Sequence, residues 1–482
     1  MLNIKIILNF IGFVLILNGL FMMLGIPFSI YYGANDILIL IACGLGTSFI
    51  GLMLVLATRD HKKEIYKRDG YIMVSLTWIM MALFGAIPFV VHGAIPSYTD
   101  SFFETMSGFT TTGASILNNI EELPHGLLFW RSMTQWLGGM GVIVLSIAIL
   151  PMLGIGGMQL FVAEVPGPTK DKIHPRVRET AKRLWGIYVL FTLVQTGLLL
   201  LGGMNLFDAV NHSFTTMATG GFSTKQASIA AYDSPFIHYV MIIFMFIAGT
   251  NFTLHYHLLH KNFKVFTQND EFKFYLKLIG TVTLVVIAGL FISQYSGVEK
   301  TFRDALFQTV SIITTTGYVT ADYELWGPFF QVLFFLLLFT GGSAGSTGGG
   351  IKMVRHFVLI KNSFSELKRL IHPRAVIPVR FNKGTIASDI ISNVLAFFLF
   401  YIFIFILGTL VMSLIGMDFL SAIGASATSL GNVGPGIGTV GPTLNFANVP
   451  EIGKWVLSFL MLMGRLELFT VLIIFSPAFW QK

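Results

Sequence analysis

Long apolar runs and short, basic or acidic polar stretches alternate along this chain in a regular order. Runs at roughly 4–25 and 37–58 reach the ~20 residues a helix needs to cross hydrocarbon. Four units follow, at about 71–150, 180–259, 273–370 and 388–478. Each reads as a span, a short amphipathic segment, a polar loop ending in glycine, and a second span. The short segments, 100–112, 208–219, 304–316 and about 421–433, hold about a dozen residues, too few to span. They are expected to dip into the bilayer as half-helices and return. The pattern predicts an all-α polytopic membrane protein, with four pseudo-fourfold repeats around one pore and an extra pair of transmembrane helices in front. The expected divisions are 1–60 for the extra pair and 61–165, 166–262, 263–383 and 384–482 for the repeats.

The loops that follow the half-helices carry the strongest internal similarity. They are Thr110-Thr111-Thr112-Gly113, Ala218-Thr219-Gly220-Gly221, Thr314-Thr315-Thr316-Gly317 and Leu430-Gly431-Asn432-Val433-Gly434, with Gly113, Gly220, Gly317 and Gly434 as the key glycines. Their glycines lie roughly a hundred residues apart. Glycine permits backbone angles that other residues resist, so successive carbonyls can turn toward one axis. Four such loops suggest a ring of carbonyls that replaces the hydration shell of a bare cation. A single loop of this kind would more simply be a packed re-entrant segment. The fourth lacks threonine, so the ring is expected to be only approximately fourfold. Asp100, Asp208 and Asp304 stand at the expected starts of three half-helices and Ser421 at the fourth. They are read as N-caps, with the partially negative C-terminal helix ends aimed at the membrane centre.

Composition agrees with the pattern. The 482 residues are 54% hydrophobic and 11% charged, against about 25% charged in soluble domains. Most of the 31 lysines and arginines fall in four stretches, 59–70, 170–183, 261–277 and 352–383. The other loops carry acids, among them Asp36, Glu121, Glu122, Asp233, Asp322 and Glu324. The positive-inside rule places the basic stretches, and the N-terminus with Lys5, in the cytoplasm. The bases are divided among span ends, which argues against nucleic-acid binding. The single cysteine, Cys43, excludes an intrachain disulfide and reads as a packing residue. The apolar N-terminal run lacks a small-residue cleavage site and reads as a retained helix rather than a signal peptide.

Two further features lie within the spans. Gly341, Gly342, Ser343, Ala344, Gly345, Ser346, Thr347, Gly348, Gly349 and Gly350 interrupt the last span of the third unit. At roughly 1 kcal/mol per glycine relative to alanine, a continuous helix there would forgo about 6 kcal/mol. The helix is expected to break into a flexible loop, a gate beneath the ring, rather than remain a tight packing patch. It is not a phosphate-cradling loop: Ile351 separates Gly350 from Lys352, and no Ser or Thr follows that lysine. Arg465 lies in the final span between Trp455 and Trp480. A mid-membrane arginine costs roughly 2.5–3.5 kcal/mol even on the lenient insertion scale. Glu467 falls on another face of the helix, so Arg465 is expected to face a water-filled interior and join the gate. The alternative is an ion pair that only holds helices together. His255, His257 and His260 do not share one helical face and make a poor metal site. No triad or paired carboxylates can be placed, which argues against an enzyme.

Several segments together resemble the TrkH branch of the bacterial Trk/Ktr/HKT superfamily. They are Glu104–Ala114, Gln135–Gly141, Gly341–Gly350, Leu370–Ala375, Asn432–Gly436 and Gly464–Glu467, and the likeness runs over essentially the whole chain. The resemblance implies a potassium-uptake, channel-like subunit of the bacterial inner membrane, with K⁺ held in a filter made of Thr111, Thr112 and Gly113; Ala218, Thr219 and Gly220; Thr315, Thr316 and Gly317; and Asn432, Val433 and Gly434. It implies a gate at Gly341–Gly350 with Arg465. It implies a homodimer and a cytosolic TrkA-type ring of RCK domains that binds NAD, ATP or ADP and controls gating, so that no nucleotide sits on this chain. A coupled K⁺/H⁺ or K⁺/Na⁺ symporter on the same scaffold is the alternative.

Overall fold

A computed structural model describes residues 2–60, 66–144, 174–293, 297–382 and 384–481. Parts of the basic stretches 59–70, 170–183 and 352–383 and the join between the first two repeats lie outside the described residues. The leading pair is built from α1 (Ile4–Met22), continued by α2 (Ile26–Tyr32), and from α3 (Ile37–Ala57). α1 and α3 approach closely through small residues. A Cβ on Gly12 would meet the Gly51 carbonyl at 2.7 Å, and one on Gly44 would meet the Gly19 carbonyl at 2.8 Å. Without a hydrophobic drive in lipid, such close packing is what joins helices. Cys43 of α3 is buried in the main hydrophobic core.

Each repeat then supplies an entering helix and a buried half-helix. The entering helices are α4 (Lys67–His92), α7 (His174–Leu201), α12 (Asp270–Ser293) and α16 (Ser388–Leu414). The half-helices are α5 (Tyr98–Phe109), α8 (Leu206–Met217), α13 (Val298–Ile313) and α17 (Phe419–Gly431). Six helices among the described residues are long and apolar enough to cross a membrane.

The returning helices differ from simple spans. After α6 (His125–Val144) in the first repeat, the second returns through α9 (Pro235–Ala248) and α10 (Phe252–Leu259), bent by 104°, and the short α11 (Phe263–Gln268) leads on to α12. The fourth returns through α18 (Glu451–Arg465) and the short α19 beginning at Phe469, bent by 111°. In the third, α14 (Pro328–Leu337) and α15 (Met353–Ile371) are separated by the glycine-rich stretch. That break follows from composition; the other two correct the expectation of uninterrupted spans. At 249–251 the sequence Gly-Thr-Asn lets Asn251 cap α10. After Arg465 the chain turns through Glu467 and Leu468, both at positive φ.

The capping expectation also needs correction. Ser97, Asn205 and Asp418 are the side-chain caps of α5, α8 and α17, and they accept from the backbone N–H of Asp100, Asp208 and Ser421. The two aspartates therefore sit at the third helical position, where a negative charge still suits the dipole. α13 starts earlier, after Gly297, without a side-chain cap, and Asp304 lies inside it.

Candidate functional site: a ring of four loops

All four half-helices end in the same way. The N–H groups of Thr111, Thr219, Thr315 and Asn432 donate to Gly108, Thr216, Ile312 and Ser429, three residues back. The next residues, Thr112, Gly220, Thr316 and Val433, donate to Ser107, Thr215, Ser311 and Thr428, five residues back. This is the paired closure of a Schellman motif, which needs a left-handed residue at its first position. Glycine or asparagine normally stands there. Here Thr111, Thr219 and Thr315 hold φ of 51°, 53° and 58°, beside Asn432 at 52°. A β-branched residue in that region is strained, and such strain concentrates at functional sites.

The shared closure fixes the register between repeats. The glycines at positive φ that follow are Gly113, Gly221, Gly317 and Gly434. In the second repeat Gly221, not Gly220, therefore matches Gly113. Ala218 is the right-handed residue that ends α8, equivalent to Thr110 and Thr314, and leaves the loop triad. The sequence Ala-Thr-Gly-Gly offered two glycines, and the helix end alone decides between them.

With that register the loops form a closed cycle. A Cβ on Gly113 would overlap the carbonyl oxygen of Gly220; on Gly221, that of Thr316; on Gly317, that of Val433. A Cβ on Gly434 would meet the Thr112 carbonyl at 2.8 Å. Each glycine thus lies against the carbonyl that precedes the glycine of the next loop, and the fourth returns to the first. A cavity of about 90 Å³ opens above the ring and is lined by all four glycines.

Side chains behind the ring hold the loops. Gln135 Nε2 donates to the Gly220 carbonyl at 2.7 Å while its Oε1 accepts from Phe222 N–H at 3.0 Å. Asn432 Nδ2 donates to Thr112 Oγ1 at 3.0 Å and ties the fourth loop to the first. Arg131 and Glu104, 2% and 1% exposed, pair at 2.7 Å. The same guanidinium donates to the Ser223 carbonyl at 3.0 Å and lies over the Phe222 ring, and Glu104 accepts from Ile116 N–H. In the loop before α14, Glu324 Oε1 accepts from Gly438 N–H at 2.8 Å, and burial pushes this carboxyl above its ordinary range. Sequence reading missed the Arg131–Glu104 pair. The available signal was the one that marked Arg465, a charge inside an apolar span.

The glycine-rich stretch crosses beneath the ring. Thr347 Oγ1 donates to the carbonyl of Met217 at 3.0 Å, at the end of α8. Gly349 N–H donates to Thr315 Oγ1 at 2.7 Å, and a Cβ on Gly349 would meet the Gly431 carbonyl at 2.8 Å. The stretch therefore touches the C-terminal ends of three half-helices. Arg465 links it to the first repeat, donating to Thr347 O at 2.7 Å and to Gly138 O at 3.1 Å. Arg465 is 3% exposed, so it does not face an open interior as expected. Its partners are carbonyls rather than an acid. Glu467 pairs instead with Arg355 at 2.5 Å, and Lys352 Nζ donates to the Gly348 carbonyl. The histidines form no common site: His255 Nε2 donates to the Ile247 carbonyl at 2.9 Å.

Re-entrant half-helices whose loops close into a ring, at the centre of a bundle of spanning helices, define a polytopic membrane transport protein. The sequence model of the TrkH family, described as cation transport protein, matches residues 41–482. The chain is 45% identical over 439 residues to the Trk system potassium uptake protein TrkH of Escherichia coli (strain K12), covering 90% of each. It is 38% identical over 484 residues to the protein of that name from Halomonas elongata, covering 100% of both. The crystal structure of the potassium transporter TrkH from Vibrio parahaemolyticus superposes with a TM-score of 0.92 at 38% identity over 100% of both chains. The chain belongs to the TrkH family, whose members are named as transport proteins and not as enzymes.

Proposed function

We propose that this protein takes up potassium across the bacterial inner membrane through a channel-like pore whose filter is the ring of four loops. The observation that carries the reading is the closed cycle of glycine and carbonyl contacts, which aligns equivalent backbone positions from all four repeats around one point. Backbone carbonyls in such rings select K⁺ by replacing its hydration shell. The filter residues in this reading are Thr111, Thr112, Gly113; Thr219, Gly220, Gly221; Thr315, Thr316, Gly317; and Asn432, Val433, Gly434. Relatives that the chain matches over nearly their full length carry the names of potassium uptake proteins.

Gly341–Gly350 is the gate in this reading, and Arg465 is its latch. The placement of the stretch against three half-helix ends supports this, since a segment there obstructs any ion leaving the ring. The distribution of basic stretches supports a cytoplasmic N-terminus. A homodimer, and a cytosolic TrkA-type ring of RCK domains that carries the nucleotide, complete the assembly; the relatives' designation as parts of a Trk system supports other components. Proteoliposomes with a K⁺ gradient and no other ion gradient test the central claim. Uptake of rubidium down that gradient is the expected result. A strict requirement for a proton or sodium gradient would replace the pore with a coupled symporter.

A further inference from the structure

Asp270 and Glu271 are consecutive residues at the cytoplasmic start of α12, and they hold two different elements. Glu271, 1% exposed, reaches the glycine-rich stretch. Its Oε1 accepts from Ala344 N–H at 2.7 Å and from Val354 N–H at 3.1 Å. One oxygen therefore ties the loop, at Ala344, to the first turn of α15, at Val354. Asp270 faces the short hairpin formed by β1 (Arg380–Phe381) and β2 (Gly384–Thr385). Its N–H donates to Asn382 Oδ1 at 2.7 Å, and its Oδ2 accepts from Asn382 N–H at 2.9 Å. Asn382 is at φ 45°, in the turn of the hairpin.

The same two elements share a small hydrophobic core that is separate from the main one. It joins Ala344 of the loop and Val354 and Phe357 of α15 to Val379, Phe381 and Ile386 of the hairpin, with Phe274 of α12 packed against it. The Phe357 and Phe381 rings meet edge-on at 5.7 Å, and Phe274 and Phe357 at 5.8 Å. Packed side chains and charge-assisted hydrogen bonds deform little, so displacement of one element moves the other.

We propose that the Asp270–Glu271 dipeptide is a coupling link that transmits displacement of the β1–β2 hairpin, on the basic cytoplasmic face, to the glycine-rich loop at Ala344 and to the start of α15. Asp270 grips the hairpin and Glu271 positions the loop. A cytosolic partner that pulls or tilts the hairpin thereby loosens the loop without touching it. The link rests on the reading of the loop as a gate for its consequence in transport, but not for its mechanics.

Hydrogen–deuterium exchange of the full-length protein in nanodiscs tests the mechanics directly, and rubidium uptake into proteoliposomes tests the consequence. Glu271→Ala is expected to accelerate exchange in peptides covering 340–354 by about tenfold, the scale of a lost charge-assisted hydrogen bond. The hairpin should stay as in the wild type. Glu271→Gln, which keeps an acceptor oxygen, restores much of the protection. Asp270→Ala is expected to accelerate exchange in the hairpin and also in 340–354, while peptides covering 107–116 do not change. A freed hairpin above an unchanged loop overturns the proposal. Where Asp270→Ala does not give monodisperse protein, Asp270→Ser is read by the same criterion. If both variants loosen the loop and uptake stays at the wild-type level, the link stands and the gate reading falls. If shortening the loop raises uptake while neither variant loosens it, the gate stands and the link falls.

Discussion

Arg465 donates to the carbonyl of Thr347 from 2.7 Å, and its second terminal nitrogen reaches Gly138 at 3.1 Å. The arginine thus fastens the middle of the glycine-rich stretch to α6, across the molecule. Charge alone would make any cation at 465 equivalent. A two-pronged latch requires the planar fork of a guanidinium, which an ammonium does not supply. Arg465→Ala is therefore expected to raise basal rubidium uptake severalfold, and Arg465→Lys to raise it nearly as much. Wild-type uptake in Arg465→Lys would return the role to electrostatics.

Thr111 gives a prediction in which stability and function part. It holds a left-handed conformation at φ 51°, and its buried hydroxyl has no hydrogen-bond partner among the described residues. A left-handed conformation costs an L-residue roughly 1–2 kcal/mol, and the added freedom of glycine in the unfolded chain returns about 0.4–1 kcal/mol. Thr111→Gly should leave thermal stability unchanged or raise it, by up to about 1.6 kcal/mol. The loop is then less firmly shaped, and reversal potentials in mixed K⁺ and Na⁺ should shift toward Na⁺. A destabilised protein of unchanged selectivity would mean that the strain has no functional use.

The register of the second loop is open to the same measurement. Gly113 and Gly221 each lie against a neighbouring carbonyl within the ring, whereas a Cβ on Gly220 would run into the side chain of Gln135 behind it. Gly113→Ser and Gly221→Ser are both expected to raise Na⁺ permeation relative to K⁺ by displacing that carbonyl. An effect at Gly113 with none at Gly221 would break the proposed fourfold equivalence.

Much of this architecture is legible in the sequence because membranes impose few choices. Apolar length marks spans, lysine and arginine mark one side, and recurrent Thr-Gly loops mark the repeats. The glycine-rich break is legible because six glycines among Gly341–Gly350 disfavour a helix. The bends after Ala248 and Arg465 are less so. The second turns through Glu467 and Leu468, residues that carry no local signal for positive φ. The choice of Gly221 over Gly220 depends on where α8 closes, which is a matter of hydrogen bonding and not of residue type. The partners of Arg465 are carbonyls from distant repeats, and no residue pattern reveals a carbonyl's direction.

The basic face offers a partner test. Lys368 and Arg374 are exposed, whereas Arg369 is engaged with Glu366 and with the Ile377 carbonyl. If the proposed cytosolic partner docks on this face, neutralising Lys368 and Arg374 together should weaken its capture, most strongly at low salt, because exposed charges are screened. The transport protein itself should stay monodisperse. Equal capture across a salt series would move the contact elsewhere.

The Arg131–Glu104 pair is the strongest test of how the ring is held. Both groups are almost fully buried, and the guanidinium also supports the backbone at Ser223, one residue beyond Phe222 in the second loop. Removing one partner of a buried pair leaves an uncompensated charge and costs about 3–5 kcal/mol, whereas replacing both is much less harmful. Arg131→Met should therefore lower the thermal midpoint sharply, and adding Glu104→Gln should recover most of that loss. Selectivity should behave differently. The double variant still lacks the donor to Ser223 and the cation over Phe222, so its reversal potential should remain shifted toward Na⁺ although its stability has returned. Recovery of both properties together would make the pair a matter of folding alone. Recovery of neither would mean that the geometry of the guanidinium, more than its charge balance, holds the first two loops in register.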